Sequence, residues 1–229
     1  MNFDFDDIPL EITRKKIKNI YIRVLPPEGQ VHVSAPLRMS DLAVRKFILS
    51  KLDWIRSHQN QMRTRPPRVV CTFSEGEERA VWGRLRRIRL FPVGGRRRIV
   101  LCGEYLDLHI PMSDSAAERE QLFEALLHRE LEREIQRLLP LWCPVIGVPT
   151  PTFAIRHMRT RWGSCSPAVR RVRFSLQLAE KPVRFLEYVV VHELVHLLER
   201  SHNSRFRAYM DSFLPHWRAV QCELRTESA

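Results

Sequence analysis

His192-Glu193-Leu194-Val195-His196 sets two imidazoles four residues apart, with a carboxylate beside the first. At 100° per residue, a helix returns position 196 to within about 40° of position 192, with Cβ atoms roughly 5 to 6 Å apart. Two ring nitrogens on one face can then meet a zinc ion at about 2.0 to 2.1 Å. Glu193 lies about 100° further round, off the ligand row but able to lean over a remaining coordination position where a water would sit. A third histidine, His202, follows ten positions after the first. In a chain with nine His and eighteen Glu, chance gives the pentapeptide alone in roughly three chains per hundred, and with a His at 202 in about one per thousand.

His202 cannot join the pair on a continuing helix, because six more residues rotate it about 240° from His196. Ser201, Asn203 and Ser204 favour turns, so the helix is expected to end near Glu199 or Arg200 and a loop to swing His202 back. Glu199 falls on the face of His192, but three ligands strung over about 10 Å of helix axis cannot meet one ion, which leaves it an orienting or surface role. The alternative of metal-free core histidines would bury several polar groups that each need a partner. Three neutral imidazoles and an open fourth position lower the pKa of a bound water to about 7. Glu193 can accept its proton, and the hydroxide can attack a carbonyl or phosphoryl centre.

A second unusual run, Arg159-Thr160-Arg161-Trp162-Gly163-Ser164-Cys165-Ser166, combines guanidinium groups, an aromatic ring and a glycine that permits close approach to a ligand. Alone it reads equally well as a strand end and a tight turn. Nothing nearby would lower the Cys165 thiol pKa. His157, His216, Tyr188 and Tyr209 read as packing or surface residues.

The elements that must carry these residues are legible in the hydrophobic pattern. Val183 to Leu198 is apolar nearly all round, which predicts a buried helix started at Pro182. Val172, Phe174, Leu176 and Leu178 alternate with polar residues, predicting a strand with one buried face. Ser115 and Glu118 form a capping box for a long helix with Leu122, Leu126, Leu131, Ile135 and Leu138 buried, closed by Pro140. Upstream, Ile20–Val24 and Val31–Ala35 read as strands joined through Pro26-Pro27-Glu28-Gly29. One helix is predicted between Ser40 and Met62, ended by Pro66-Pro67. Strands follow around Ala80–Phe91 and Ile99–Ile110, with Gly94-Gly95 between them. No internal repeat is visible. The expectation is an α+β chain with a β-rich N-terminal region carrying one helix, residues 1–112, and a catalytic region, residues 113–229.

Composition narrows the class. Over 229 residues, 44% hydrophobic and 28% charged exclude a disordered, collagen-like or disulfide-scaffold chain. The five cysteines, Cys71, Cys102, Cys143, Cys165 and Cys222, are odd in number, widely spaced and without a Cys-x-x-Cys pair, which disfavours disulfides and thiolate zinc and suits a reducing cytosol. No apolar run reaches the roughly 18 residues of a membrane span, and the acidic start lacks a basic signal region, so a cytoplasmic protein is expected. The net charge of +12 rests on 38 basic residues against 26 acidic ones, the Arg residues dominating. That excess concerns partners rather than fold, and no heptad arm or zinc-finger spacing accompanies it, so nucleic-acid recognition is not favoured.

Arg161-Trp162-Gly163-Ser164-Cys165-Ser166, the strand Val172 to Leu178, Tyr188 to Leu197, and His202-Asn203 followed by Phe206 together resemble the YgjP-like metallopeptidase family of zincin-type hydrolases. The early strands, Pro36-Leu37 and Leu52-Asp53-Trp54-Ile55 resemble its N-terminal part more loosely. The resemblance implies a zincin-like fold, zinc on His192, His196 and His202, Glu193 as catalytic base, and a substrate cleft shaped by Arg161, Trp162 and Ser164. Metzincins want Gly where Glu199 stands, which disfavours that neighbouring class. Family membership does not fix the scissile bond. The leading expectation is a zinc-dependent peptidase whose substrate pairs with the strand Arg171 to Leu178, if that strand has a free edge. The alternatives are a metal-dependent pyrophosphohydrolase of nucleoside triphosphates and a basic nucleic-acid- or protein-binding module with a structural metal.

Overall fold

Alternating apolar residues build two sheets of the same design. The computed structural model describes residues 2–5, 8–25, 29–64, 72–158 and 160–227, and the chain divides into two units, Met1–Val70 and Cys71–Ala229. The first unit holds β1 (Asn2–Phe5), β2 (Ile8–Lys15), β3 (Tyr21–Leu25) and β4 (Gln30–Pro36) in the order β1-β2-β4-β3. Its inner strands are parallel, with Leu10 opposite Val31 and Ile12 opposite Val33. Helices α1 (Asp41–Leu49) and α2 (Leu52–Thr64) follow, and Val44, Ile48 and Ile55 join the strand residues in one small core.

The single helix expected between Ser40 and Met62 is thus two. The Ser50 hydroxyl donates to the Phe47 carbonyl, and Lys51 N–H bonds Ile48 O at 2.9 Å, a tightened turn that breaks the helical register. The expected start is present, since Ser40 Oγ accepts from Ala43 N–H. Pro26-Pro27-Glu28, Pro66-Pro67, Cys71 and Arg159 lie outside the described residues.

In the second unit, β5 (Glu78–Val81), β6 (Arg84–Pro92), β7 (Arg98–Cys102) and β8 (Tyr105–Ile110) form a sheet in the order β5-β6-β8-β7. Its inner strands are again parallel, with Ile88 opposite Leu106 and Leu90 opposite Leu108. The sequence shows no repeat because strand order depends on pairing, which many different alternating sequences satisfy. The boundary expected at 112/113 falls inside this unit: β8 and α3 (Ala116–Ile146) bury Leu106, Leu108, Phe123 and Leu126 in one core.

Pro140 does not close α3. The helix runs on through Pro140 and Pro144 to a left-handed Gly147 cap, whose N–H bonds Cys143 O at 3.0 Å. An interior proline costs roughly 3 kcal/mol. Burial of Cys143 and Ile146 beyond it offsets that cost, and Trp142 Nε1 donates to Glu187 Oε1 at 3.1 Å.

The third sheet has the order β10-β11-β9, from β9 (Thr152–Arg156), β10 (Gly163–Ser166) and β11 (Arg171–Ser175). The strand expected to reach Leu178 ends at Ser175. A 3-10 turn over Leu176–Glu180 follows, in which Leu176, Leu178 and Ala179 are all buried, so period-two spacing here does not mean extended backbone. Helices α4 (Val183–Val195), α5 (Ser204–Phe213) and α6 (Trp217–Thr226) complete a mixed α+β fold of three small sheets and six helices among the described residues. None of these helices is long and apolar enough to cross a membrane.

Candidate metal centre

Helix α4 is an interior helix, with Phe185, Leu186, Val189, Val190, Val191, Leu194 and Val195 all buried. Its last regular turn carries His192 and Glu193, and His196 caps it, N–H to His192 O at 3.3 Å. The chain then tightens, with Leu197 N–H on Leu194 O and Leu198 N–H on Val195 O, and reverses. Asn203 starts α5 by accepting Phe206 N–H at 3.0 Å, and His202 sits immediately before that cap. The helix proper therefore ends a few residues before Glu199, and the turn at Ser201 to Asn203 returns His202 to the pair.

The three imidazoles converge. Their ring centroids are 4.7 to 4.9 Å apart, and one ligand nitrogen from each lies within 4.8 Å of the others. His192 Nε2 and His202 Nε2 are 3.0 Å apart. Two lone pairs that close need a proton or a cation between them. Bonds of about 2.0 to 2.1 Å in a tetrahedron would put such nitrogens about 3.3 Å apart. Burial, then the neighbouring His196 and His202, push the His192 pKa down to about 3, and burial lowers that of His196. Both rings are therefore neutral at pH 7, the form that binds metal.

The rings are also held from behind. His196 Nδ1 lies 3.1 Å from the Glu199 carbonyl, which fixes Nδ1–H as donor and leaves Nε2 free. Glu199 itself accepts Ser201 N–H at 3.1 Å, so it orients the loop and does not join the triad. His192 Nδ1 lies 3.5 Å from the Tyr188 hydroxyl, which accepts from Gln221 Nε2 at 2.8 Å. Phe206, 1% exposed, sets its ring 4.7 to 5.0 Å from all three imidazoles.

Glu193 is 4% exposed, and its Oε2 is buried with no hydrogen-bond partner among the described residues. Burial pushes its pKa up to about 8, against the pull of the Arg161 charge. Gly163 at the start of β10 makes room for it: a Cβ there would stand 2.6 Å from Glu193 Oε1 and 2.8 Å from Val189 Cγ1. The close approach at Gly163 is thus to a neighbouring side chain, not to a ligand as its place in the run suggested.

A cavity of about 740 Å³ opens over these groups, and Arg161, Trp162 and Ser164 all line it beside the histidines. Cys165 lines it too, but burial and the nearby Glu193 push its thiol up to about 11, so it stays protonated. Cys102, Cys143, Cys165 and Cys222 are free thiols. Of the residues read as packing or surface, His157 and His216 are exposed, and Tyr209 stacks on Phe213. Tyr188 is buried and packs against His192, and its hydroxyl lies 3.5 Å from His192 Nδ1. Gln221, Arg200 and Arg225 border the centre without a local motif to mark them. Tyr188 and Phe206 had a signal, since both lie in the runs that resemble the family and Tyr188 stands one helical turn before His192 on the same face.

A mixed α+β chain with a metal-competent histidine triad is the class that fold and site define together. Residues 18–227 match the model of the YgjP-like metallopeptidase domain, and the chain belongs to that family. Membership makes it a metal-dependent peptidase by class, which implies a divalent cation and suggests a peptide or protein substrate. A comparison with curated proteins returns no match. Among solved structures the chain is similar to the metallopeptidase zymogen jannalysin of Methanocaldococcus jannaschii. The identity is 16% over 42% of this chain and 97% of that one, with a TM-score of 0.38.

Proposed function

We propose that this protein is a cytoplasmic zinc peptidase of zincin-like architecture, in which His192, His196 and His202 hold the ion and Glu193 is the general base. The observation that carries the reading is the convergence of three imidazoles beside a buried carboxylate oxygen that lacks a partner among the described residues. The donor set suits zinc, which takes three nitrogen ligands and keeps one position open for chemistry. When bound, the cation would supply the Lewis acidity that makes water nucleophilic near neutral pH.

The remaining work falls to the chain. Glu193 accepts the water proton at its free oxygen and hands it to the leaving amine. Gly163 fixes where that carboxylate stands, and the Glu199 carbonyl and Tyr188 keep the rings turned inward. Trp162 and Ser164 line the cleft in which the substrate lies, as does Arg161, whose charge acts on Glu193. The strand that receives the peptide is not the one expected from the sequence: β11 is paired on both sides, by β10 and β9, so it has no edge to offer. The edge strands are β10 and β9, and of these β10 lines the cavity, with Gly163, Ser164 and Cys165. An extended peptide can add to it as a further strand. Phosphoanhydride hydrolysis or a structural-metal module would have the same triad available, but neither makes use of a free strand edge beside it. The free thiols suit a reducing compartment.

Peptide hydrolysis by the zinc-loaded protein tests the reading. Glu193→Gln is expected to keep its zinc and to lose about 10²- to 10⁴-fold in kcat. Unimpaired hydrolysis by that variant would remove Glu193 from the mechanism.

A further inference from the structure

Arg161, Arg200 and Arg225 reach the cavity from three separate segments: the turn before β10, the loop after α4 and the last turn of α6. All three are exposed, and among the described residues no carboxylate forms an ion pair with any of them. Their neighbours are different. Arg184 pairs with Glu223 at 2.8 Å and Arg218 with Asp211, so these two arginines of the C-terminal helices are neutralised while the three of the cleft are not. The one carboxylate that lines the cavity, Glu193, is buried. In another Arg-lined hollow of this unit, Arg97 is held by Asp114 at 2.7 Å and Glu118 at 2.8 Å, whereas Arg96 and Arg98 have no ion pair among the described residues.

We propose that the cleft selects peptides with Asp or Glu side chains close to the scissile bond, recognised by Arg161, Arg200 and Arg225; this rests on the peptidase reading above. Three cations gathered over one cavity raise its potential and draw in anions. The planar guanidinium fork matches a carboxylate through two parallel hydrogen bonds. A phosphate would satisfy the same forks. The free edge of β10 and the half-buried Trp162 give the cleft the form of a peptide groove and favour the carboxylate.

The test is cleavage of a mixed peptide library by the zinc-loaded full chain, with the sites read by mass spectrometry and followed by matched pairs in which Asp and Glu are replaced by Asn and Gln. Acidic residues are expected to cluster around the cleaved bonds, and kcat/KM for an acidic peptide to exceed that of its amide twin about tenfold. The advantage should shrink in 1 M salt, where the screening length falls to about 3 Å. Arg200→Gln with Arg225→Gln is expected to remove most of the preference while zinc content is kept. Arg96→Gln with Arg98→Gln removes as much charge outside the cleft and is expected to preserve it. Equal cleavage of acid and amide twins, or equal loss of preference in the two double variants, overturns the proposal and leaves the peptidase reading standing. Release of pyrophosphate from nucleoside triphosphates with no peptide cleaved overturns both.

Discussion

The two four-stranded sheets share strand order and a central parallel ladder, yet they serve different structures. In the first, Leu10, Val31, Val33 and Ala35 close a small core with Val44, Ile48 and Ile55. In the second, Ile88, Leu106 and Leu108 belong to a much larger core that also contains Phe174, Phe185, Val190 and Leu194. Its β5–β6 turn is bonded to the chain that leads into α4: Trp82 N–H donates to Ala179 O at 2.8 Å, and Gly83 N–H to Glu180 O at 3.1 Å. The same topology can therefore close a small core of its own or brace the helix that carries His192 and Glu193, and docking contacts rather than strand order decide which.

Equivalent substitutions put this difference to the hardest test. Leu10→Ala in β2 and Ile88→Ala in β6 remove buried side chains opposite the partner ladder, and each should cost about 2 to 5 kcal/mol. Ile88→Ala is expected to lower the denaturant concentration at which metal is released, whereas Leu10→Ala should leave metal release unchanged. Urea titrations followed by far-UV circular dichroism and a zinc indicator separate the two. Identical shifts in metal release would erase the distinction.

The turns sharpen it at a smaller scale. Gly83 has φ +73°, and a Cβ there would stand 2.6 Å from Pro182 Cγ and 2.9 Å from its backbone nitrogen. Gly83→Ala should cost about 1 to 3 kcal/mol and displace the start of α4, with a fall in kcat. Gly29, with φ +77°, meets Gln59 Cγ at 3.1 Å, with the backbone Cα of Gln59 no closer than 3.6 Å. Gly29→Ala is expected to cost less and leave kcat alone, measured by thermal unfolding and peptide turnover.

Much of the centre was legible because helical periodicity and ligand chemistry act locally. His192, Glu193 and His196 needed only the angle per residue, and His202 needed only a turn among Ser201, Asn203 and Ser204. What escaped depends on long-range contact. Gln221 meets Tyr188 across 33 positions, and the approach of Gly163 to Glu193 joins a strand to a helix. Pro140 misled because burial beyond it outweighs the lost backbone bond. Leu176 and Leu178 misled because a 3-10 turn can also bury both.

A subtler effect concerns pH, and it is confined to the second unit. In the metal-free fold Glu193 keeps its proton to about pH 8, against an ordinary value of 4.5. The folded chain thus binds a proton that the unfolded chain has lost, and stability falls as pH rises through that range. His192, with a pKa near 3 against 6.5, acts in the opposite sense and is spent above about pH 6.5. Between pH 6.5 and 8 the Glu193 contribution is left, so Tm of the chelator-treated protein should decline there. Glu193→Gln should flatten the decline, and an unchanged slope in that variant would assign it to other groups.

Anomalous diffraction at the zinc edge, from crystals of the zinc-loaded chain, addresses the centre most directly. A single strong peak is expected about 2.0 to 2.1 Å from one ring nitrogen of each of His192, His196 and His202, with the Glu193 carboxylate beside its open side and no fourth protein ligand. A peak away from this triad, or one closed off by a fourth side chain, would contradict the account.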